Sequence, residues 1–172
     1  MTGIIPCVGC RAEVPDISGP VHRYMDSSPG CWAAYGEVLA REYANDSFAA
    51  AHRLTVDSYA VQHPGRPSPQ SIQSVGLHLI SLSLVLEHGS TMQQATQALQ
   101  RGSLSKDIFV WLDPPDDLGR ITVVDVRAVD SPEAHVERVW DWARAAWAAW
   151  SQHRDRIDQW IRQMSLLPAR LT

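Results

Sequence analysis

"PSPQSIQSVGLHLISLSLVLEHG", residues 67–89, decides the fold of this chain. Ser68 is suited to cap a helix, Pro69 to open it and Gly89 to stop it. The segment between them is apolar nearly all round, as a helix buried at the centre of a bundle must be. Its apolar run "VGLHLISLSLVL", residues 75–86, is too short and too polar to span a bilayer. The segment is therefore expected to be the core of a helical bundle.

Working towards the N-terminus, "NDSFAAAHRLTVDSYAVQHPG" predicts a helix from about Asp46 to His63, ended by Pro64-Gly65. Before it, "SSPGCWAAYGEVLAREY" carries the Ser-Pro start signal again, with Ser28 at the cap and Pro29 inside. Residues 1–28 hold Pro6, Pro15, Gly19 and Pro20 among short polar steps and predict loops and turns.

Working towards the C-terminus, Thr91 is placed to cap a short helix reaching about Gln100. "SLSKDIFVWLDPPDDLGR", residues 103–120, predicts a loop with one apolar patch at Ile108–Leu112. "ITVVDVRAVD" is rich in β-branched residues, but Thr122 and Asp125 fit a capping box and no partner strand exists, so it predicts a short helix. Ser131-Pro132 opens a long last helix whose Trp140, Ala143, Trp147 and Trp150 are expected on one face, with a break near 151–153. The fold expected is all-α: a single domain, residues 1–172, with a bundle of four or more helices at 29–172 and a loop-rich cap at 1–28.

Composition narrows the function. A chain of 172 residues, 45% hydrophobic, suffices for one well-buried core. A net charge of −4 with both signs scattered lacks the basic stripe of a nucleic-acid binder. The N-terminus has neither the basic start nor the apolar core of a signal peptide, so a cytoplasmic protein with no membrane association is expected. Nothing opposes a homo-oligomer. In a reducing compartment three cysteines read as ligands or nucleophiles rather than as staples.

Cys7 and Cys10 stand at CxxC spacing and Cys31 at the start of the first long helix. The first two helices turn near residue 45, so residues whose numbers sum to about 90 should lie level if the helices are antiparallel. Cys31 is then level with Tyr59 and close to His63. A cap folded over this end would complete a Cys₃His set of Cys7, Cys10, Cys31 and His63, a common zinc environment. His22, on the loop before the helix, is the rival fourth ligand. A redox dithiol is the competing reading of CxxC, but the βαβ context of thioredoxin-like motifs is absent. A thiolate at a helix start suits metal ligation and nucleophilic chemistry alike.

Three histidines are candidates for proton transfer: His22, His52 and His78. His52 and His63 sit about 16 Å apart on a straight helix, too far for one metal. His78 shares its helix face with Ser71, Ser74 and Ser81 and is expected within about a turn of His52. That face would line a pocket, or would merely allow close packing with a locally bonded histidine. Asp57 lies well off the His52 stripe, and His135 is a further candidate of undetermined level.

The strings "CVGC", "GPVHRY", "SPGCWAAYGEVLAREY", "HRLTVDSYAVQHPG", "SIQSVGLHLI" and "TVVDV", in this order, resemble a bacterial family of unknown function. The resemblance spans most of the chain and implies a small soluble bacterial protein, with no activity attached. A looser, architectural likeness is to metal-binding four-helix bundles of the DinB kind, in which His52, His78 and His135 would have counterparts; their HxxxH spacing is absent. Two functions follow. One is a zinc-dependent enzyme acting on a small molecule by hydrolysis, elimination or isomerisation. The other is a non-catalytic protein-interaction module with a structural zinc. A fourth metal position open to water separates the first from the second.

Overall fold

The computed structural model describes residues 3–167. Eight α-helices follow a short N-terminal hairpin: β1 (Ile4–Pro6), β2 (Glu13–Pro15), α1 (Pro29–Ala44), α2 (Asp46–Ala49), α3 (His52–Gln62), α4 (Pro69–Leu86), α5 (Met92–Gly102), α6 (Val123–Arg127), α7 (Pro132–Ala149) and α8 (Arg154–Gln163). The all-α expectation holds, and so do most of its punctuation marks. Ser68 accepts from the Ser71 amide, Ser131 from the Ala134 amide, and Thr91 and Gln94 form a reciprocal capping box. Thr122 and Asp125 pair in the same way, which makes 123–127 a helix despite its β-branched residues. The break expected near 151–153 is a single 3₁₀ turn.

Four details differ from the sequence reading. Residues 1–28 are not all loops: Ile4–Pro6 pairs antiparallel with Glu13–Pro15, in strands too short to alternate visibly. The helix expected over 46–63 is two helices meeting at Ala50 and Ala51. No glycine or proline marks that break, and alanine is the best helix former, so tertiary packing sets it. α2 lies against α1 and α7, whereas α3 runs inward with Ala51 fully buried.

The third difference is on α7, where Trp142 rather than Trp140 faces the core. Val139, Trp142, Ala143, Ala146 and Trp147 are buried, while Trp140 sits half-buried at the edge beneath the Arg144 guanidinium. The fourth concerns the central helix. α4 is deeply buried, but α3 is enclosed at least as fully despite its polar sequence. It packs against α4, α7, α1 and α5, and its buried polar groups are largely partnered. Gln62 donates to the carbonyls of Leu118 (3.0 Å) and Ile121 (2.8 Å) and accepts from the Trp142 indole (2.8 Å). The Trp150 indole donates to the Val61 carbonyl. No helix among the described residues is long and apolar enough to cross a membrane.

Candidate metal centre

The site is built where the hairpin, α1 and the end of α3 converge. The β1–β2 loop is a tight turn: the Cys7 amide donates to the Ala12 carbonyl at 2.8 Å and the Arg11 amide to the Cys7 carbonyl at 3.1 Å. It presents Cys7 and Cys10 on the same side. Ser28 occupies the cap position of α1 but makes no cap bond with its side chain. Its hydroxyl instead accepts from the Val8 amide at 3.0 Å, and its own amide donates to Cys7 Sγ at 3.5 Å. The α1 start is thereby fastened to the hairpin, with Cys31 in the first turn.

Two glycines permit this approach. A Cβ on Gly9 would overlap the Asp26 carbonyl oxygen and lie 2.6 Å from Cδ2 of His63. One on Gly30 would overlap the Pro15 carbonyl oxygen.

Cys7, Cys10, Cys31 and His63 meet in this pocket, their donor atoms all within 4.8 Å of one another. The relative exposures are 0%, 6%, 0% and 1% in that order. Cys10 and Cys31 Sγ are 3.8 Å apart, and His63 Nε2 lies 3.6 Å from Cys7 Sγ and 3.5 Å from Cys31 Sγ. Tetrahedral bonds of about 2.3 Å to sulfur and 2.0–2.1 Å to nitrogen space two sulfurs about 3.8 Å apart, and sulfur and nitrogen about 3.5 Å apart. The pocket thus has the dimensions of a tetrahedral metal site, and its donor chemistry is consistent with zinc.

The surroundings orient these donors. His63 is the residue just past the end of α3, and its Nδ1–H donates to the Tyr59 carbonyl at 2.7 Å, which turns Nε2 towards the sulfurs. Tyr59 stacks on the His63 ring at 4.0 Å between centroids, and its hydroxyl donates to Cys31 Sγ at 3.7 Å. The Cys31–Tyr59 contact is the level pairing expected from a turn near residue 45, and it survives the break between α2 and α3.

Without an ion Cys7, Cys10 and His63 depart from their ordinary proton affinities in different directions. Bonds from Cys10 and Cys31 outweigh burial and hold the Cys7 thiol far below its ordinary value, while Cys31, Cys7 and burial push Cys10 up. Burial pulls His63 down, but its bonds to Cys31 and Cys7 win and raise it to about 9. A bound metal requires all four donors deprotonated, so binding would release protons.

The three proton-transfer candidates occupy separate places. His22 is half-buried on the cap, edge-on to Tyr24 and 5.3 Å from Trp32, outside the Cys₃His group. Burial lowers its pKa, and its ring lines a cavity of about 430 Å³ with Arg23 and Arg66. His52 Nδ1 lies 2.6 Å from Glu42 Oε2. His78 Nδ1 lies 2.7 Å from Asp57 Oδ1.

His78 and His52 therefore have different partners, Asp57 for His78 and Glu42 for His52. Asp57, five residues after His52, points about 140° away from it.

Two buried carboxylates carry networks that the sequence reading missed. Glu42 Oε1 accepts from Thr55 at 2.5 Å and from His135 Nε2 at 2.9 Å, while Oε2 meets His52, so one carboxylate joins α1, α3 and α7. These bonds hold Glu42 below the ordinary carboxylate value in spite of its burial. Asp57 accepts from Arg53, His78 and Ser81 and joins α3 to α4. The legible signal for Glu42 was its position on the buried stripe of Cys31, Ala34, Tyr35 and Val38 along α1.

The chain belongs to a family of unknown function (DUF5946), whose model matches residues 5–151. The match includes all four residues of the Cys₃His group. Neither a curated protein nor a solved structure matches the chain.

Proposed function

We propose that this chain is a zinc protein whose metal is a structural clasp: Cys7, Cys10, Cys31 and His63 hold one zinc ion that ties the hairpin to the start of α1 and the end of α3. The observation that carries this reading is the completeness of the donor set. Four buried protein donors already lie within 4.8 Å of one another, as many as a closed tetrahedral site takes. A catalytic zinc keeps a position for water or substrate, and this set leaves none. Zinc supplies charge neutralisation and strong bonds there; orientation comes from Tyr59, Ser28 and Gly9.

Of the two functions set out from the sequence, the geometry favours the structural role for the metal. Small-molecule chemistry would then belong to groups on the helical body, the most favoured being His78, which lines a cavity while bonded to a buried carboxylate. A cytoplasmic location accords with the three thiols the site needs reduced.

Metal analysis of the purified protein should find about one zinc per chain. The cobalt-substituted protein should give the visible spectrum of a four-coordinate sulfur-rich site, unchanged by added azide. A spectrum that shifts with azide would mean an open position and would return the metal to the catalytic role.

A further inference from the structure

The Asp57–His78 pair has the parts of a proton-transfer device, and the zinc clasp uses neither residue. Asp57 is fully enclosed, and its carboxylate is held by Arg53 at 2.7 Å and by Ser81 at 2.5 Å. It cannot swing. Its Oδ1 lies 2.7 Å from His78 Nδ1, whereas the Arg53 guanidinium lies 3.4 Å from the same nitrogen, and the closer carboxylate acceptor places the ring proton on Nδ1. Nε2 then carries the lone pair. Among the described residues no hydrogen bond engages Nε2, and the side chain keeps 17% of its surface open.

That ring lines a cavity of about 220 Å³ between the first half of α4, the end of α5 and the cap. Tyr24, Gln70, Ser74, Leu77 and Ser103 contribute to its wall, and no carboxylate, lysine or arginine does. Hydroxyls, amides and one leucine suit a small uncharged molecule with polar atoms, and the volume lies below the usual range for larger ligands.

We propose that His78 and Asp57 form a proton-transfer pair acting on a small uncharged carboxylic ester bound in this cavity. His78 Nε2 takes a proton from a water molecule, whose O–H electron pair stays on oxygen. That oxygen bonds to the ester carbonyl carbon. The bond to the alkoxy oxygen breaks with its electrons on that oxygen, and the imidazolium returns the proton to the departing alcohol. Water and ester become acid and alcohol. Asp57 is the positioning residue: it fixes the tautomer and turns Nε2 to the cavity.

The test uses the full-length, zinc-loaded protein and p-nitrophenyl acetate as the probe ester. His78→Gln should lower kcat/KM at least tenfold with zinc content and helical circular dichroism unchanged, while His153→Gln should leave it as it was. Nitrogen-15 NMR of wild type should find His78 in the Nδ1–H form. Asp57→Asn should shift that ring towards Nε2–H and reduce the rate. Full ester turnover in a folded His78→Gln protein would overturn the proposal, as would an Nε2–H tautomer in wild type. If Asp57→Asn does not fold, the wild-type tautomer still decides the matter. Zinc content is read separately, so failure here is distinct from failure of the structural-zinc reading.

Discussion

His63 ends its helix, stacks on Tyr59 and gives its Nδ1 proton to the Tyr59 carbonyl, so one imidazole has a single nitrogen left and a single direction for it. His22, the alternative fourth ligand, faces a different cavity beside Trp32. His63→Ala should therefore abolish tight zinc binding and lower the melting temperature together, because ligand binding and folding are coupled. His22→Ala should leave the cobalt spectrum unchanged. The opposite pair of spectra would exchange the two roles. Replacing any of Cys7, Cys10 or Cys31 with Ser should likewise lose metal, and stoichiometric zinc in all three variants would refute the assignment. This group of four residues could be read from spacing because CxxC, a helix-start cysteine and a helix-end histidine are local features, joined by one antiparallel turn.

Among the elements, α3 teaches most. Six of its eleven residues, His52, Arg53, Thr55, Asp57, Ser58 and Gln62, are polar, yet seven successive residues from Asp57 to His63 are buried. Burial of polar side chains is costly where they lack a partner, and Thr55, Asp57 and Gln62 find theirs on α1, α4, α7 and the 118–121 loop, while Ser58 Oγ has none among the described residues. Gln62 is the clearest case, with three partners from two other segments. Gln62→Ala would leave the Trp142 indole N–H and two carbonyls without their partner, a cost of about 2–4 kcal/mol. Urea denaturation should reveal that loss with little change in helical content. A change under about 0.5 kcal/mol would mean that water replaces the amide. No periodicity announces this helix as central, since its partners lie on other segments, those of Gln62 56 to 80 residues away.

Across the whole molecule, Glu42 couples three helices through one enclosed carboxylate, and this has a pH signature. Its pKa in the folded protein is below the ordinary 4.5, so ionised Glu42 stabilises the fold above that value. That contribution is lost as pH falls below 4.5 and through the lower folded value. Glu42→Gln should be less stable than wild type at pH 7, and the gap should shrink at pH 3.5. The comparison between the two proteins removes the acid loss of metal common to both. An equal gap at both pH values would show that Glu42 acts through shape and not through charge.

The helical class and the start of nearly every long helix follow from local chemistry in this chain: Ser-Pro starts, capping boxes and a glycine stop each act within a few residues, as does the CxxC pair. His63 instead joins the cysteines through an antiparallel turn, and its place over His22 was set by the assembled fold. Which face each helix turns inward was another matter. Trp142 over Trp140, the break at Ala50–Ala51, the partnering of His78 with Asp57 and of His52 with Glu42 all depend on contacts between segments far apart in sequence. A helix repeats every 3.6 residues, so an error of one or two positions in the assumed face carries a side chain to a different neighbour. Only the assembled bundle, where every buried polar atom competes for a partner, selects among those faces.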